Sequence, residues 1–323
     1  MKPAVLVATK EWDPVSWADR IRPLLPDRAV LATDREGIFS GQSDALDAVT
    51  YALVWRPPQT TLDRLKNLRA IFSLGAGVDH VLGLPRLPNV PIARIVDPDL
   101  TMRMTEYVVW QVLDHLRLGA AYRRQQQKHV WHEPHFHPSA HDVAVGIMGL
   151  GVMGASAADA LLHLGFSVRG WSRTSKTIPG AETFSGADGL APFLAGTDIL
   201  ISVLPLTPET RGFIDLKLLK GLKPKGALGG PVLINAGRGG SQVEADIVTA
   251  LRDGTLAAAS LDVFEEEPLA AESPLWNLPN VTITPHVAAV SDPEALAIQI
   301  VRQIEAFERG EPLRNRVDPR RGY

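Results

Sequence analysis

Three stretches in the second half of the chain each follow a short apolar run with a polar group suited to acid–base or anion-binding work. Ile234-Asn235-Ala236-Gly237-Arg238-Gly239 places a guanidinium among glycines, Leu261-Asp262-Val263-Phe264-Glu265-Glu266-Glu267-Pro268 carries carboxylates, and Ile283-Thr284-Pro285-His286-Val287-Ala288 carries an imidazole. In α/β proteins, active sites form just outside the carboxyl ends of parallel strands, which is where these polar groups would fall. An imidazole can give or take a proton near neutral pH. A guanidinium presents a planar fork to a carboxylate. Plainer readings stand beside these. A single histidine after a strand is more often structural, and Glu267 could be an ordinary loop charge, with Glu265 and Glu266 as rivals for any role. Arg238 in a glycine-rich loop is harder to explain as packing.

A fourth motif lies upstream. Gly149-Leu150-Gly151-Val152-Met153-Gly154 fits G-x-G-x-x-G, a weak signal by itself in a chain with 27 glycines. Here it follows an apolar strand and opens a helix containing Ala155, Ala157 and Ala158, the setting that a dinucleotide site requires. Gly149 allows a tight turn, Gly151 lets a pyrophosphate approach the backbone, and Gly154 lets helix and strand pack closely. The helix N-terminus adds free N–H groups and partial positive charge, with Val152 and Met153 in its first turn. At the end of the next strand, where NAD-binding units place an acid for the ribose hydroxyls, the sequence reads Gly170-Trp171-Ser172-Arg173-Thr174-Ser175-Lys176. No acid repels a 2′-phosphate there. Arg173 and Lys176 can pair with one while Ser172 and Ser175 donate hydrogen bonds, so the cofactor expected is NADP. The plainer reading of this stretch is a solvated basic loop.

The elements that must position these groups come in two alternating series. Ala4 to Ala8, Ala52 to Trp55 and Ala70 to Leu74 are continuous apolar runs of strand length, as parallel strands buried on both faces require. Pro14 to Leu24 and Thr60 to Leu68 read as helices between them. A long helix is expected from Thr101 to Gln127, with Val108, Val109, Val112, Leu113 and Leu116 on one face. Lys128 to His141, rich in His, Trp and Pro, reads as a linker. A second series follows, with strands Val143 to Met148, Ser167 to Trp171, Ile199 to Leu204, Val232 to Asn235, Ala257 to Asp262 and Val281 to Thr284, and helices from the glycine turn to Leu164 and from Gln242 to Arg252. A final helix runs from Pro293 to Arg309. The expected fold class is α/β: two doubly wound parallel-sheet (Rossmann-like) domains with a cleft between them.

Composition agrees with this and excludes several classes. A chain of 323 residues exceeds one ordinary core. With 45% hydrophobic and 21% charged residues it reads as soluble and globular. A net charge of -3 gives no reason to expect nucleic acid or an anionic membrane as partner. The absence of cysteine rules out disulfides, thiol catalysis and zinc-thiolate sites. The apolar run Ala4 to Ala8 is too short for a secretory segment, and no stretch reaches the roughly 18–20 apolar residues of a spanning helix. The expectation is a cytoplasmic protein. His129, His132, His135, His137 and His141 cluster in the linker without an acidic partner pattern, so they read as surface or interface histidines and no metal is expected.

Taken together, the motifs resemble those of the D-isomer-specific 2-hydroxyacid dehydrogenases, and within them the glyoxylate/hydroxypyruvate reductase A group. The resemblance covers nearly the whole chain: Tyr51 to Pro58 (YALVWRPP), Leu74 to Asp79 (LGAGVD), the glycine turn, Trp171 to Arg173, Leu204 to Thr210 (LPLTPET), Asp262 to Pro268, Thr282 to Ala289 (TITPHVAA) and the terminal Arg321-Gly322-Tyr323. It implies a substrate-binding domain over 1–103 plus 289–323 and an NADP-binding domain over 104–288. His286 would be the general acid, Glu267 would hydrogen-bond its other ring nitrogen, and Arg238 would bind the substrate carboxylate and polarise its carbonyl. Further cofactor contacts are implied at Leu204, Pro205, Ala236, Gly237 and Asp262. Backbone N–H groups of Ala76 and Gly77 would bind substrate, with Trp55 and Arg56 bounding the pocket; a merely structural turn is the alternative for all four.

The activity implied is NADPH-dependent reduction of small 2-oxo acids, glyoxylate to glycolate and hydroxypyruvate to D-glycerate, by a homodimer in which Trp131 reaches the partner's pocket. The alternatives are a nucleotide-sensing protein without activity on the same fold, or a dehydrogenase of the family for a different 2-oxo acid. One stretch departs from the family pattern. Lys223 to Val232 (KPKGALGGPV) is a few residues longer than the corresponding loop, which puts the loop's shape ahead of Arg238 in question.

Overall fold

The structure, a computed structural model, describes residues 3–134 and 137–322. The chain divides into two compact units, Met1–Leu100 with Ser291–Tyr323, and Thr101–Val290.

The first unit is built on β1 (Ala4–Thr9), β2 (Val30–Ala32), β3 (Val49–Trp55), β4 (Ala70–Ser73) and β5 (Ile92–Ala93). Their order is β2-β1-β3-β4-β5, every pair parallel, which is a doubly wound sheet reversing direction beside β1. All six residues of β1 are buried because helices cover both faces, so the strand reads as one apolar run. The helix Pro293–Glu308 returns to this unit and buries Leu296, Ala297, Ile300, Val301 and Ile304, one helical stripe, in the same cluster as Val5, Val7, Tyr51 and Phe72. Helices Pro14–Ile21, Pro98–Leu116 and Pro293–Glu308 all start on an Asp-Pro step. Proline at the first position has no N–H to lose, and the aspartate accepts a first-turn N–H: Asp13 from Val15, Asp97 from Leu100 and Asp292 from Glu294. Each such cap contributes about 1 kcal/mol.

The second unit holds β6 (Ala144–Met148), β7 (Ser167–Ser172), β8 (Glu182–Ser185), β9 (Ile199–Ser202), β10 (Val232–Asn235), β11 (Ala258–Leu261) and β12 (Val281–Ile283). The order β12-β11-β10-β9-β6-β7-β8, again all parallel, reverses between β6 and β9. The chain therefore opens a crevice at the carboxyl ends of those two strands, where nucleotides bind in sheets of this order. Val108, Val112 and Leu116 of the helix Pro98–Leu116 pack on one face of the sheet with Val145, Ile147, Ile199, Ile201 and Ile234.

Several boundaries differ from expectation. The helix expected over 101–127 is two helices, Pro98–Leu116 and Gly119–Gln127, separated at Leu118, whose φ of 56° is left-handed. A Cβ on Gly119 would run into the Asp114 carboxylate, which Arg123 grips with two hydrogen bonds of 2.8 Å. The second helix buries none of its residues, so the apolar stripe that defines the first has no continuation. The helix expected over 60–68 is a single turn, Gln59–Leu62, and 14–24 ends in a tighter 3-10 turn, Arg22–Leu24. The strands β2, β5 and β8 carried no expectation and all lie at sheet edges.

The longer stretch 223–231 bends around the amino end of β9. Lys223 Nζ reaches Asp198 Oδ2 at 3.0 Å, Val232 N–H donates to Asp198 O at 2.9 Å, and a Cβ on Gly226 would meet the Asp198 carboxylate. The stretch lies at that end of the sheet, and β10 leads to Arg238 at the other. Among the described residues no helix is long and apolar enough to cross a membrane.

Candidate active site

The glycine turn between β6 and the helix Val152–His163 has the shape its sequence demands. Gly149 sits at φ 103°, and a Cβ there would stand 3.0 Å from Val203 O. A Cβ on Gly154 would strike Gly149 O, so only glycine lets the helix settle on the strand. Gly151 differs: a Cβ built on it meets no atom within 4 Å. The helix starts there with no side-chain cap on its first-turn N–H groups. A bare backbone cradle with open space above a helix N-terminus fits a pyrophosphate. Across the crevice, Thr210 Oγ1 donates to Pro205 O at 2.7 Å and accepts from Thr207 N–H at 2.8 Å, which fixes the turn holding Leu204 and Pro205. Ala236 N–H bonds Ser202 O at 3.0 Å, and Gly237 packs so closely that a Cβ would lie 2.7 Å from Leu204 O.

Beyond β7 the chain splits the expected cofactor set in two. Trp171 is buried, its indole N–H donates to Gly186 O at 2.9 Å, and its ring stacks on Phe213 at 5.5 Å. Its side chain belongs to the core, and its carbonyl accepts the Gly149 N–H at 2.9 Å, tying β7 to the glycine turn. Ser172 Oγ donates to Thr174 O at 2.8 Å and so shapes the turn, while Arg173, Ser175 and Lys176 are exposed.

Arg238, Glu267 and His286 lie beyond the carboxyl ends of β10, β11 and β12, three adjacent strands. The Nδ1 of His286 is 2.8 Å from Glu267 Oε2, and Phe264 N–H donates to Glu267 Oε1 at 3.1 Å. The geometry also separates the three acids. Glu265 and Glu244 accept each other's backbone N–H at 2.6 Å, so Glu265 ties the loop to the helix Glu244–Asp253. Glu266 is exposed, and Glu267 is the one that meets the imidazole. The Arg238 carbonyl accepts the Ser241 hydroxyl at 2.6 Å, and its Nη1 donates to Gly237 O at 2.9 Å.

Asp262, expected to contact the cofactor, is buried and spends its carboxylate on groups of the protein itself. Its Oδ1 accepts from Thr284 Oγ1 at 2.6 Å and Val287 N–H at 2.9 Å, and its Oδ2 accepts from Ala288 N–H at 2.9 Å. Since Thr284 spends its proton on Asp262, the Tyr107 hydroxyl, 2.8 Å away, must be the donor to Thr284 Oγ1. Burial pushes the Asp262 carboxyl above its usual range, and the Thr284 hydroxyl and the Ala288 and Val287 N–H groups oppose that. Burial likewise pushes the Tyr107 phenol up. This clamp holds His286 at φ 54°, left-handed backbone that costs a non-glycine residue on the order of 1–3 kcal/mol. Neither Tyr107 nor Thr284 was singled out from the sequence. Their partners lie 177 and 22 residues away, and no local pattern announces them.

In the first unit, Trp55 and Arg56 end β3, and the loop Gly75-Ala76-Gly77 follows β4, its neighbour in the sheet. Arg56 has φ 48°, the same left-handed region as His286. Trp55 stacks on Trp12 at 4.5 Å, and a Cβ on Gly75 would collide with the Trp55 ring. Of the linker histidines, His137 Nε2 bonds the Tyr122 hydroxyl at 2.8 Å, and His141 lies 3.5 Å from Asp142. His135 lies outside the described residues. Among the described residues no group of three or more potential ligands could hold a metal ion.

A twice-repeated parallel α/β sheet, a glycine-cradled helix N-terminus and a carboxylate-held histidine define a nucleotide-dependent oxidoreductase. The chain belongs to the D-isomer specific 2-hydroxyacid dehydrogenases: residues 109–288 match the NAD binding domain of that family. It is 42% identical over 318 residues to the glyoxylate/hydroxypyruvate reductase A of Escherichia fergusonii, covering 97% of each chain. Two solved structures are similar over 100% of both chains at a TM-score of 0.92. One is a probable 2-hydroxyacid dehydrogenase from Rhizobium etli in complex with NADP, HEPES and L(+)-tartaric acid, 48% identical. The other is the NADPH-dependent glyoxylate/hydroxypyruvate reductase of Sinorhizobium meliloti in complex with NADP and sulfate, 47% identical.

Proposed function

We propose that the chain reduces small 2-oxo acids with NADPH, taking glyoxylate to glycolate and hydroxypyruvate to D-glycerate. The 2.8 Å contact between His286 Nδ1 and Glu267, placed outside the sheet's carboxyl edge, carries this reading. The carboxylate holds the Nδ1 proton and stabilises the imidazolium, whose second proton, on Nε2, is the one to be transferred. Bound in the glycine cradle by Gly149, Gly151, Val152, Met153 and Gly154, NADPH would supply the hydride. As charge develops on the carbonyl oxygen, His286 donates its proton there. Arg238 binds the substrate carboxylate through its fork and polarises the carbonyl. The first unit would be the substrate domain, with the backbone of Ala76 and Gly77 and the side chains of Trp55 and Arg56 as its substrate contacts, and the second unit the cofactor domain.

NADPH oxidation against a panel of 2-oxo acids tests the activity. Binding of NADPH with no oxidation by any of them would instead favour a nucleotide sensor. The choice of phosphate rests on Arg173 and Lys176. The purified enzyme should prefer NADPH, and Arg173→Asp should narrow that preference by about tenfold to a hundredfold, the scale of one charge-assisted contact. Equal kcat/KM with the two nucleotides, unchanged by the substitution, would sink the assignment.

A homodimer is part of the same reading. Trp131 is 97% exposed, and Trp110, Tyr122 and Val130, on the helices and linker that precede it in the chain, are exposed too, which supports an apolar surface suited to a second copy. Sedimentation should give a dimer's mass at micromolar concentration, and Trp131→Ala should lower kcat/KM. A monomeric mass with full activity would refute both statements.

A further inference from the structure

We propose that His80, acting with Ser73, is a positioning residue that ties the Arg56 turn to the Gly75–Gly77 loop and so sets how tightly the substrate carboxylate is held. This rests on the reading above that those two segments meet the substrate. The two segments end neighbouring strands, β3 and β4, and nothing in their own sequence links them. The imidazole of His80 does. Its Nδ1 accepts the Arg56 backbone N–H at 3.1 Å, and its Nε2 lies 3.2 Å from Ser73 Oγ. An N–H can only donate, so Nδ1 must be bare and the ring proton must sit on Nε2, pointing at Ser73. The Ser73 hydroxyl lies 3.0 Å from both Gly75 O and Gly77 O, and its oxygen accepts the Gly75 N–H at 3.3 Å. One ordered chain of donors therefore runs from Arg56 through His80 and Ser73 into the loop.

The surroundings hold the ring to this duty. It lies 4.5 Å from the Trp55 ring, which in turn stacks on Trp12, and Gly75 is so near that indole that a Cβ on it would collide. Arg56 needs such a hold, since its left-handed φ of 48° is a conformation an arginine does not keep unaided. The arrangement also rules out a nucleophilic serine. A general base would need a bare nitrogen toward Ser73, whereas here that nitrogen carries the proton and the serine is buried.

The test uses the full-length enzyme. His80→Phe keeps a ring beside Trp55 and removes both nitrogens. It should raise KM for glyoxylate about tenfold or more, the effect expected when a partly buried donor loses its partner. Turnover at saturation should stay within about threefold, and the Kd for NADPH should not move. Ser73→Ala should shift KM in the same direction, and the double variant should be no worse than His80→Phe alone, because both act in one relay. His80→Asn, whose Oδ1 can stand in for Nδ1 as acceptor, should recover part of the KM. In 15N spectra of the unaltered protein, His80 should appear as the Nε2–H tautomer at neutral pH, and this needs no variant to fold. An unchanged KM in folded His80→Phe, additive losses, a change confined to kcat, or an Nδ1–H or doubly protonated ring would each overturn the proposal. If the enzyme reduced no 2-oxo acid at all, the functional reading would fall, and the tautomer would still decide whether this relay exists.

Discussion

Replacing His286 with alanine should lower kcat for glyoxylate reduction by about 10²–10⁴-fold, the usual contribution of a positioned general acid. The loss should fall on turnover, with the Kd for NADPH little changed. The geometry makes this substitution clean. The side chain is 38% exposed, so removing it opens no core cavity. The backbone stays where it is, because the His286 N–H bonds Asp262 O at 2.8 Å and the next two N–H groups bond the Asp262 carboxylate. Glu267 also keeps the Phe264 N–H as a partner once the imidazole is gone. Single-turnover kinetics with saturating NADPH would measure the chemical step directly. A rate within a factor of a few of the unaltered enzyme would remove His286 from the mechanism.

Arg238→Lys should reduce kcat/KM for glyoxylate by at least about 10²-fold, although the charge is retained. A guanidinium can make two parallel bonds to a carboxylate and an ammonium cannot, and charge-assisted bonds contribute about 1.5–3 kcal/mol each. The loop should survive the change. Ser241 holds the Arg238 carbonyl, and Asn235 anchors the turn by accepting the Gly237 N–H at 3.1 Å and donating to Gln242 at 2.7 Å. The methyl ester of glyoxylate, which has no carboxylate for the fork to grip, provides the control. The unaltered enzyme should lose most of its advantage over the variant on that ester. Equal losses on acid and ester would mean that Arg238 acts on something other than the carboxylate.

What the sequence revealed and what it hid have a common physical origin. Central parallel strands are buried on both faces, so β1, β3, β6 and β10 stand out as apolar runs, and the point where each run stops marks the sheet's carboxyl edge. The motifs at Gly149 and Arg238 were legible for that reason, whereas His286 follows the edge strand β12 and was legible from the run Thr282 to Ala289 itself. The edge strands β2, β5 and β8 lack this signal: β2 has two residues only part-buried, β5 is two residues long, and β8 has none buried. The break at Leu118 was hidden because both flanking segments favour helix and the left-handed residue is an unremarkable leucine. Three consecutive acids could not be told apart along the chain. The loop separates them in space by pairing Glu265 with Glu244. Of the three Asp-Pro helix starts, those at Pro14 and Pro293 match the expected starts, and the one at Pro98 lies three residues before the Thr101 that periodicity gave.

The stretch 223–231, folded against Asp198 at the amino end of β9, bears on how such a protein can change over generations. Lengthening a flexible loop is thermodynamically mild, on the order of 0.6 kcal/mol for each doubling. In a parallel sheet every strand points the same way, so length gained at the amino edge does not displace the groups at the opposite edge. Arg238 follows the carboxyl end of β10, and the stretch 223–231 precedes its amino end. Inheritance can therefore be tolerant along one rim of the sheet and strict along the other, and insertions would accumulate where they are silent to the reaction.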